Sequence, residues 1–262
     1  MLTAPKVRAL KSSKKIVMLT AYDYPMATYL EKAGVDIILV GDSLGMVFQG
    51  VKDTLPVTVD EVIYHVRCVK RGAPATMIVA DMPFMSYQSS VKQAVTNAGK
   101  IMKESGASAV KLEGGKEVCP QVRALVDFGI PVMGHIGLQP QSVNKYGGYP
   151  VMGRTPDEKD KLISDAIALE KAGVFSLVIE KAAARTAEEV TEAVKVPVIG
   201  IGSGPSCDGQ VLVVHDMLGA FPDFKPAFVR QYEKIAERSV KAIQKFSKDV
   251  RMGKFPGRKN YY

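Results

Sequence analysis

Short apolar runs that end in polar residues recur along this 262-residue chain. Ile37-Ile38-Leu39-Val40 leads into Gly41-Asp42-Ser43, and Met77-Ile78-Val79-Ala80 ends in Asp81. Ala109-Val110 leads to Lys111-Leu112-Glu113, Pro131-Val132-Met133-Gly134 to His135, and Leu177-Val178-Ile179 to Glu180. An apolar run of about 4–8 residues bounded by turn residues reads as a strand buried on both faces. The pattern predicts strands over 16–22, 36–41, 76–81, 108–113, 131–136, 176–180, 196–201 and 211–214.

Helical spacing fills the intervals. Asp23 is placed to cap a helix carrying Met26, Leu30 and Ala33, with Gly34 as its stop. Thr58 with Glu61 and Ser90 with Gln93 have capping-box spacing and open helices that close near Gly72 and Gly106. Further helices are predicted over 116–128, from Thr155 or Asp157 through Leu162, Ala166 and Leu169 to Gly173, and over 185–194. The last spans 227–252, with a stripe of Phe228, Tyr232, Ile235, Ile243, Phe246 and Val250. A short helix is expected around Val7–Leu10. The glycine-containing segment 137–155 is too long for an ordinary connection and is expected to cover or build a site.

Strands alternate with helices eight times, and no composition break divides the chain. Eight such units in about 250 residues predict an α/β fold, a (β/α)8 barrel, as a single domain over 1–262 with a short lead-in and a long C-terminal helix. A doubly wound sheet is the alternative. Against it, Gly200-Ile201-Gly202-Ser203-Gly204 is not a clean dinucleotide fingerprint, and Pro205 follows it directly.

Composition narrows the class. Of the net charge of +8, +7 lies from Phe221 onward, where eleven Lys and Arg face four Asp and Glu. With no nucleic-acid motif beside it, that charge is read as a solvated helix face. Cys68, Cys119 and Cys207 are far apart and form neither a metal spacing nor a disulfide framework, which suits a reducing cytoplasm. No stretch approaches the roughly 20 apolar residues of a membrane span.

The candidate chemistry lies at the strand ends. Asp42, Asp81 and Glu113 end strands two, three and four, and adjacent barrel strands bring them together. Three carboxylates in one place repel unless a cation holds them, and oxygen ligands select Mg²⁺ or a similar ion. Separate salt bridges are the alternative reading. Lys111 shares a strand face with Glu113 and offers a cation to an acidic substrate group, or an ion pair to Glu113. Ser43 adds a hydroxyl. His135 is a candidate ligand, base or packed core histidine, with substrate contact as one option. His215 and Asp216 are expected to end strand eight as a stabilising pair, and His65 to be structural within its helix. Glu180 ends strand six, opposite strand two, which makes it the acid best placed for proton transfer rather than metal binding.

Several ordered blocks then carry a resemblance. Val40-Gly41-Asp42-Ser43-Leu44-Gly45-Met46, Thr54-Leu55-Pro56-Val57-Thr58, Asp81-Met82-Pro83-Phe84-Met85-Ser86-Tyr87, Val110-Lys111-Leu112-Glu113-Gly114-Gly115, Gly134-His135-Ile136-Gly137-Leu138, Pro140-Gln141-Ser142-Val143 and Val198-Ile199-Gly200-Ile201-Gly202 resemble ketopantoate hydroxymethyltransferases from about Ile16 to Gly219. Gln139 stands where the resemblance leads to Thr, and Ser203 where it leads to Ala; the tail after Phe221 matches weakly. The resemblance implies a (β/α)8 barrel and a Mg²⁺-dependent, aldol-type transfer in pantothenate synthesis. It implies that the one-carbon unit passes from 5,10-methylenetetrahydrofolate to 3-methyl-2-oxobutanoate, giving 2-dehydropantoate. It implies Asp42 and Asp81 as metal ligands with Glu113 in the same set. It further implies Asp42, Ser43, Asp81 and Lys111 as substrate contacts and Glu180 as proton acceptor. A homo-oligomer, commonly a decamer, is also implied, with neither nucleic acid nor membrane as partner.

Two competing readings stand beside it. One is another Mg²⁺-dependent barrel lyase acting on 2-oxo acids through a metal-bound enolate. Such enzymes often use a cysteine on a mobile loop, and no cysteine here sits at one of these strand ends. The other is a basic oligomer that binds nucleic acid through its last helix, which would show a steep salt dependence.

Overall fold

The structure is a computed structural model that describes residues 1–221 and 226–262. The chain divides into two compact units, Met1–Leu212 and Val213–Tyr262. In the first, eight parallel strands close in sequence order into a barrel. They are β1 (Ile16–Thr20), β2 (Ile37–Val40), β3 (Met77–Asp81), β4 (Ala109–Glu113), β5 (Val132–Gly137), β6 (Ser176–Glu180), β7 (Val198–Ile201) and β8 (Gly209–Leu212), with β8 pairing back onto β1.

The period of two along a strand explains why a charged layer sits on an apolar one. Ile16 and Met18, Ile37 and Leu39, Met77 and Val79, Ala109, Met133, Val178 and Ile199 form one buried cluster. Two residues beyond Val79 comes Asp81; two beyond Ala109 comes Lys111, and two further Glu113; two beyond Met133 comes His135; two beyond Val178 comes Glu180. Strand parity carries each of these side chains to the interior face, above the core residues of its strand. Val7, from the short helix Ala4–Arg8, joins the same cluster, as do the partly buried Leu2 and Leu10.

The outer helices begin where their capping residues put them. Asp23 accepts from the Met26 amide at 2.7 Å. Thr58 and Thr155 each complete a capping box, with Glu61 and Glu158, ahead of helices Val59–Gly72 and Pro156–Ala172. Ser90 makes only half of one. Its hydroxyl accepts from the Gln93 amide at 3.1 Å, but the Gln93 side chain donates to the Met85 carbonyl at 2.9 Å.

Several boundaries differ from expectation. β1 stops at Thr20, two residues early. The N-terminal helix lies at Ala4–Arg8. β8 runs Gly209–Leu212 rather than 211–214. A Cβ at Gly209 would lie 2.5 Å from the Ile16 carbonyl oxygen, so glycine opens this strand. His215 and Asp216 consequently do not end a strand; they lie in the helical turn Val214–Met217 of the second unit. The last helix is Ile235–Arg251 and buries none of its residues within that unit. Phe228 and Tyr232 precede it, and the Tyr232 and Ile235 amides donate instead to the carbonyls of Met217 and Leu218, at 2.8 and 3.0 Å. No helix among the described residues is long and apolar enough to cross a membrane.

Candidate active site

The polar layer at the strands' C-terminal edge is one connected network. Asp42 lies just past β2, and its amide donates to Asp81 Oδ2 at 3.2 Å. Asp81 Oδ1 is 2.9 Å from Lys111 Nζ, across the β3–β4 register that pairs the two residues. Lys111 Nζ is 3.1 Å from His135 Nδ1. His135 sits opposite Glu113 in the β4–β5 register, with Nδ1 3.5 Å from Glu113 Oε1 and Nε2 3.4 Å from Glu180 Oε2. Ser43 Oγ lies 2.7 Å from the Tyr22 hydroxyl. The candidates Asp42, Asp81, Lys111, Glu113, His135 and Glu180 thus meet through these contacts.

Their burial separates their roles. Asp42, Asp81, Lys111, Glu113 and His135 are buried. Glu180 is the more accessible acid, with 18% of its side chain exposed. His65 is buried on helix Val59–Gly72, with Nδ1 2.7 Å from the Tyr22 carbonyl oxygen and its ring edge-on to Phe48, a structural placement as expected.

Charge is unbalanced in this layer. Burial, and then the neighbouring charges of Asp81 and Glu113, raise the Asp42 pKa well above the usual carboxylate range. Burial and the nearby Lys111 lower the His135 pKa, but hydrogen bonding to Glu113 and Glu180 outweighs them and lifts it to about 9. Burial likewise opposes the Lys111 charge, and the carboxylates of Asp81, Glu113 and Asp42 overcome it and raise its pKa. Four carboxylates then face one ammonium and one imidazolium. Unless Asp42 takes a proton, the layer carries an excess negative charge of two, which suits a divalent cation.

Among the described residues no three or more His, Cys, Asp or Glu side chains are grouped to hold a metal ion. An all-protein cage is therefore not what this layer offers. Asp42 and Asp81 offer a pair of carboxylates, and Mg²⁺ commonly takes only one or two and keeps its waters. Glu113 is engaged elsewhere, by His135 through Oε1 and by the Gln141 amide N–H through Oε2 at 3.1 Å.

Two further residues carry the network without having been singled out. The Gln141 side chain donates to Asp42 Oδ2 at 2.9 Å. The Tyr87 hydroxyl accepts the Glu113 amide N–H at 3.1 Å and lies 2.9 Å from both the Glu113 carbonyl and Gln141 Oε1. Both occur in motif blocks quoted above, which was the available signal. Ser203 also has a place: its buried hydroxyl accepts from the Ala182 amide at 3.0 Å and lies 3.0 Å from the Ile179 carbonyl oxygen, on either side of Glu180.

Comparison with known proteins decides the family. The sequence model described as Ketopantoate hydroxymethyltransferase matches residues 1–258. The chain belongs to that family. The 3-methyl-2-oxobutanoate hydroxymethyltransferase of Moorella thermoacetica is 54% identical over 261 residues, covering 99% of this chain and 97% of that one. Its namesake from Thermotoga maritima is 54% identical over 251 residues, 96% and 93% of the two chains. As a ketopantoate hydroxymethyltransferase family member, the chain also shares its fold with more distant enzymes. A phosphoenolpyruvate phosphomutase from Streptomyces platensis subsp. rosaceus superposes with a TM-score of 0.64 at 15% identity, covering 96% of this chain and 88% of that one. A phosphonopyruvate hydrolase in complex with oxalate and Mg²⁺ gives 0.62 at 14% identity, covering 99% and 93%. At such identities the likeness concerns the barrel alone.

Proposed function

We propose that this enzyme transfers a hydroxymethyl group from 5,10-methylenetetrahydrofolate to 3-methyl-2-oxobutanoate, giving 2-dehydropantoate for pantothenate synthesis. The observation that carries the reading is the buried layer of Asp42, Asp81, Lys111 and Glu113, with the more accessible Glu180 joined to it through His135, in a chain of this family. Asp42 and Asp81 would hold Mg²⁺, with Glu113 beside it, and the ion would supply Lewis-acid polarisation of the substrate's keto group.

The chain's own residues do the rest. Asp42, Ser43, Asp81 and Lys111 line the place of the oxo acid, with the Ser43 hydroxyl offered to its carboxylate. Glu180 takes the proton from C3. The electron pair left behind spreads onto the keto oxygen, where the Lys111 ammonium, fixed 2.9 Å from Asp81, opposes the developing charge. Water adds to the methylene carbon and both of its C–N bonds break, so tetrahydrofolate leaves with the two water protons and the one-carbon unit is freed at the formaldehyde level. The pair on C3 attacks that carbon, and the proton held by Glu180 passes to the new alkoxide oxygen. His135 bridges Glu113 and Glu180 and orients the Glu180 carboxylate. The 138–155 loop is the neighbour assigned to the folate, and the assembly is a homo-oligomer, a decamer as the family resemblance implies.

Proton abstraction can be isolated from transfer. In D₂O with Mg²⁺ and no folate, the enzyme should exchange the C3 proton of 3-methyl-2-oxobutanoate, followed by NMR. Glu180→Gln keeps the shape, removes the basicity and should slow exchange by about 10²–10⁴-fold. Exchange at the wild-type rate would remove Glu180 from this role.

A further inference from the structure

The residue that holds the acidic layer together is an uncharged amide. Gln141 lies in the turn Pro140–Ser142, after β5, and is buried. Its side chain has both donor positions filled and two donors, one of them shared with the Glu113 carbonyl, at its oxygen. Nε2 donates to Asp42 Oδ2 at 2.9 Å and to the Met82 carbonyl at 3.0 Å. Oε1 lies 2.9 Å from the Tyr87 hydroxyl and accepts from Gln88 Nε2 at 3.1 Å. The orientation of the amide is not a matter of choice. The Met82 carbonyl can only accept, so the nitrogen must face it, and the oxygen must then face Tyr87 and Gln88. The Gln141 backbone N–H meanwhile donates to Glu113 Oε2 at 3.1 Å. One residue therefore fixes an oxygen of Asp42 after β2 and an oxygen of Glu113 on β4.

This matters because a buried carboxylate with a free torsion has no fixed aim. Held at Oδ2 by a donor that cannot flip, Asp42 keeps its other oxygen in one direction. Partners of this kind set the geometry of metal ligands and are commonly worth about 10–100-fold in metal affinity. We propose that Gln141 is the positioning residue of the cation site, presetting Asp42 through its side chain so that a divalent cation meets that carboxylate already aimed, while its backbone N–H holds Glu113 beside the site. The inference rests on reading Asp42 and Asp81 as Mg²⁺ ligands.

The test is Mg²⁺ binding by calorimetry on the full chain, without substrates. Gln141→Leu keeps the approximate length and removes all four side-chain bonds. It should stay folded in chelator, by circular dichroism, and bind Mg²⁺ about 10–100-fold more weakly. Tyr87→Phe leaves the ring in the core and removes only the hydroxyl that touches Gln141 and the Glu113 backbone. It should weaken binding in the same direction by less. Ile101→Val, a core change on helix Val91–Ser105, controls for lost stability and should bind as wild type does. Unchanged Mg²⁺ affinity in folded Gln141→Leu overturns the proposal. If that variant does not fold, unchanged affinity in Tyr87→Phe overturns it, and weakened affinity supports it. A wild-type enzyme that binds no Mg²⁺ overturns the metal reading instead, and this one with it.

Discussion

His135 shows how a single side chain is pulled two ways. Lys111 can only donate to Nδ1, which calls for a neutral ring protonated at Nε2. Glu113 and Glu180 on either side call for an imidazolium. The carboxylates prevail, and the pKa stands at about 9 against an ordinary value of 6.5. The folded-state pKa is raised, so the stabilisation is complete below about pH 6.5 and is lost as pH rises through about 9. The difference corresponds to roughly 3 kcal/mol. In metal-free protein, NMR of the ring should report an imidazolium at pH 7.5, and thermal stability should fall between pH 7 and 10 more steeply than in His135→Gln. A neutral ring at pH 7 would reverse the assignment. Asp81 has the complementary role. Asp81→Ala should fold, because the residue lies above the apolar core, yet lose measurable Mg²⁺ binding by calorimetry; unchanged affinity for Mg²⁺ and the oxo acid would sink its place as a ligand. At this scale the charged residues were legible because each follows an apolar strand, Asp81, Lys111, Glu113, His135 and Glu180 at core parity and Asp42 just past the end of β2. Gln141 and Tyr87 were not, because they lie in loops without periodicity. Their contacts, such as Gln141 with Asp42, join residues 99 apart in sequence.

Elements aim these residues, and the β5–β6 seam is the most constrained. Gly137 pairs with Glu180 at φ +87°, and a Cβ there would lie 2.3 Å from the Glu180 carbonyl oxygen. Gly137→Ala should cost roughly 2–4 kcal/mol, from left-handed strain and overpacking together. It should also lower turnover more than Mg²⁺ affinity, since it disturbs Glu180 rather than Asp42. Denaturant unfolding and steady-state kinetics read the two effects, and an unchanged kcat would contradict the coupling. Strand and helix positions followed from period and caps, and at two of the places where they did not another interaction decided. Gly209 opens β8 because β1 approaches too closely for a side chain. Residues 226–234 do not extend the last helix, because Tyr232 bonds to the turn at Met217.

At the scale of the molecule, eight repeats of strand and helix sufficed to predict the closed barrel. They did not reveal that residues 213–262 form a compact unit of their own. Within that unit, Ile243, Phe246 and Val250 are exposed along helix Ile235–Arg251, and Phe246 meets only the ring of Phe255 among the described aromatic contacts. Such a stripe is expected to find a partner in self-association. Deleting 227–262 should therefore reduce the mass measured by light scattering, and an unchanged assembly would refute that role. The central claim is tested most directly by turnover itself. Purified protein is incubated with 3-methyl-2-oxobutanoate and 5,10-methylenetetrahydrofolate, and 2-dehydropantoate is followed by mass spectrometry with Mg²⁺, after chelation, and after Mg²⁺ is restored. The account expects product with Mg²⁺, its loss on chelation and its return on restoration. No product under any condition, or an equal rate in chelator, would contradict it.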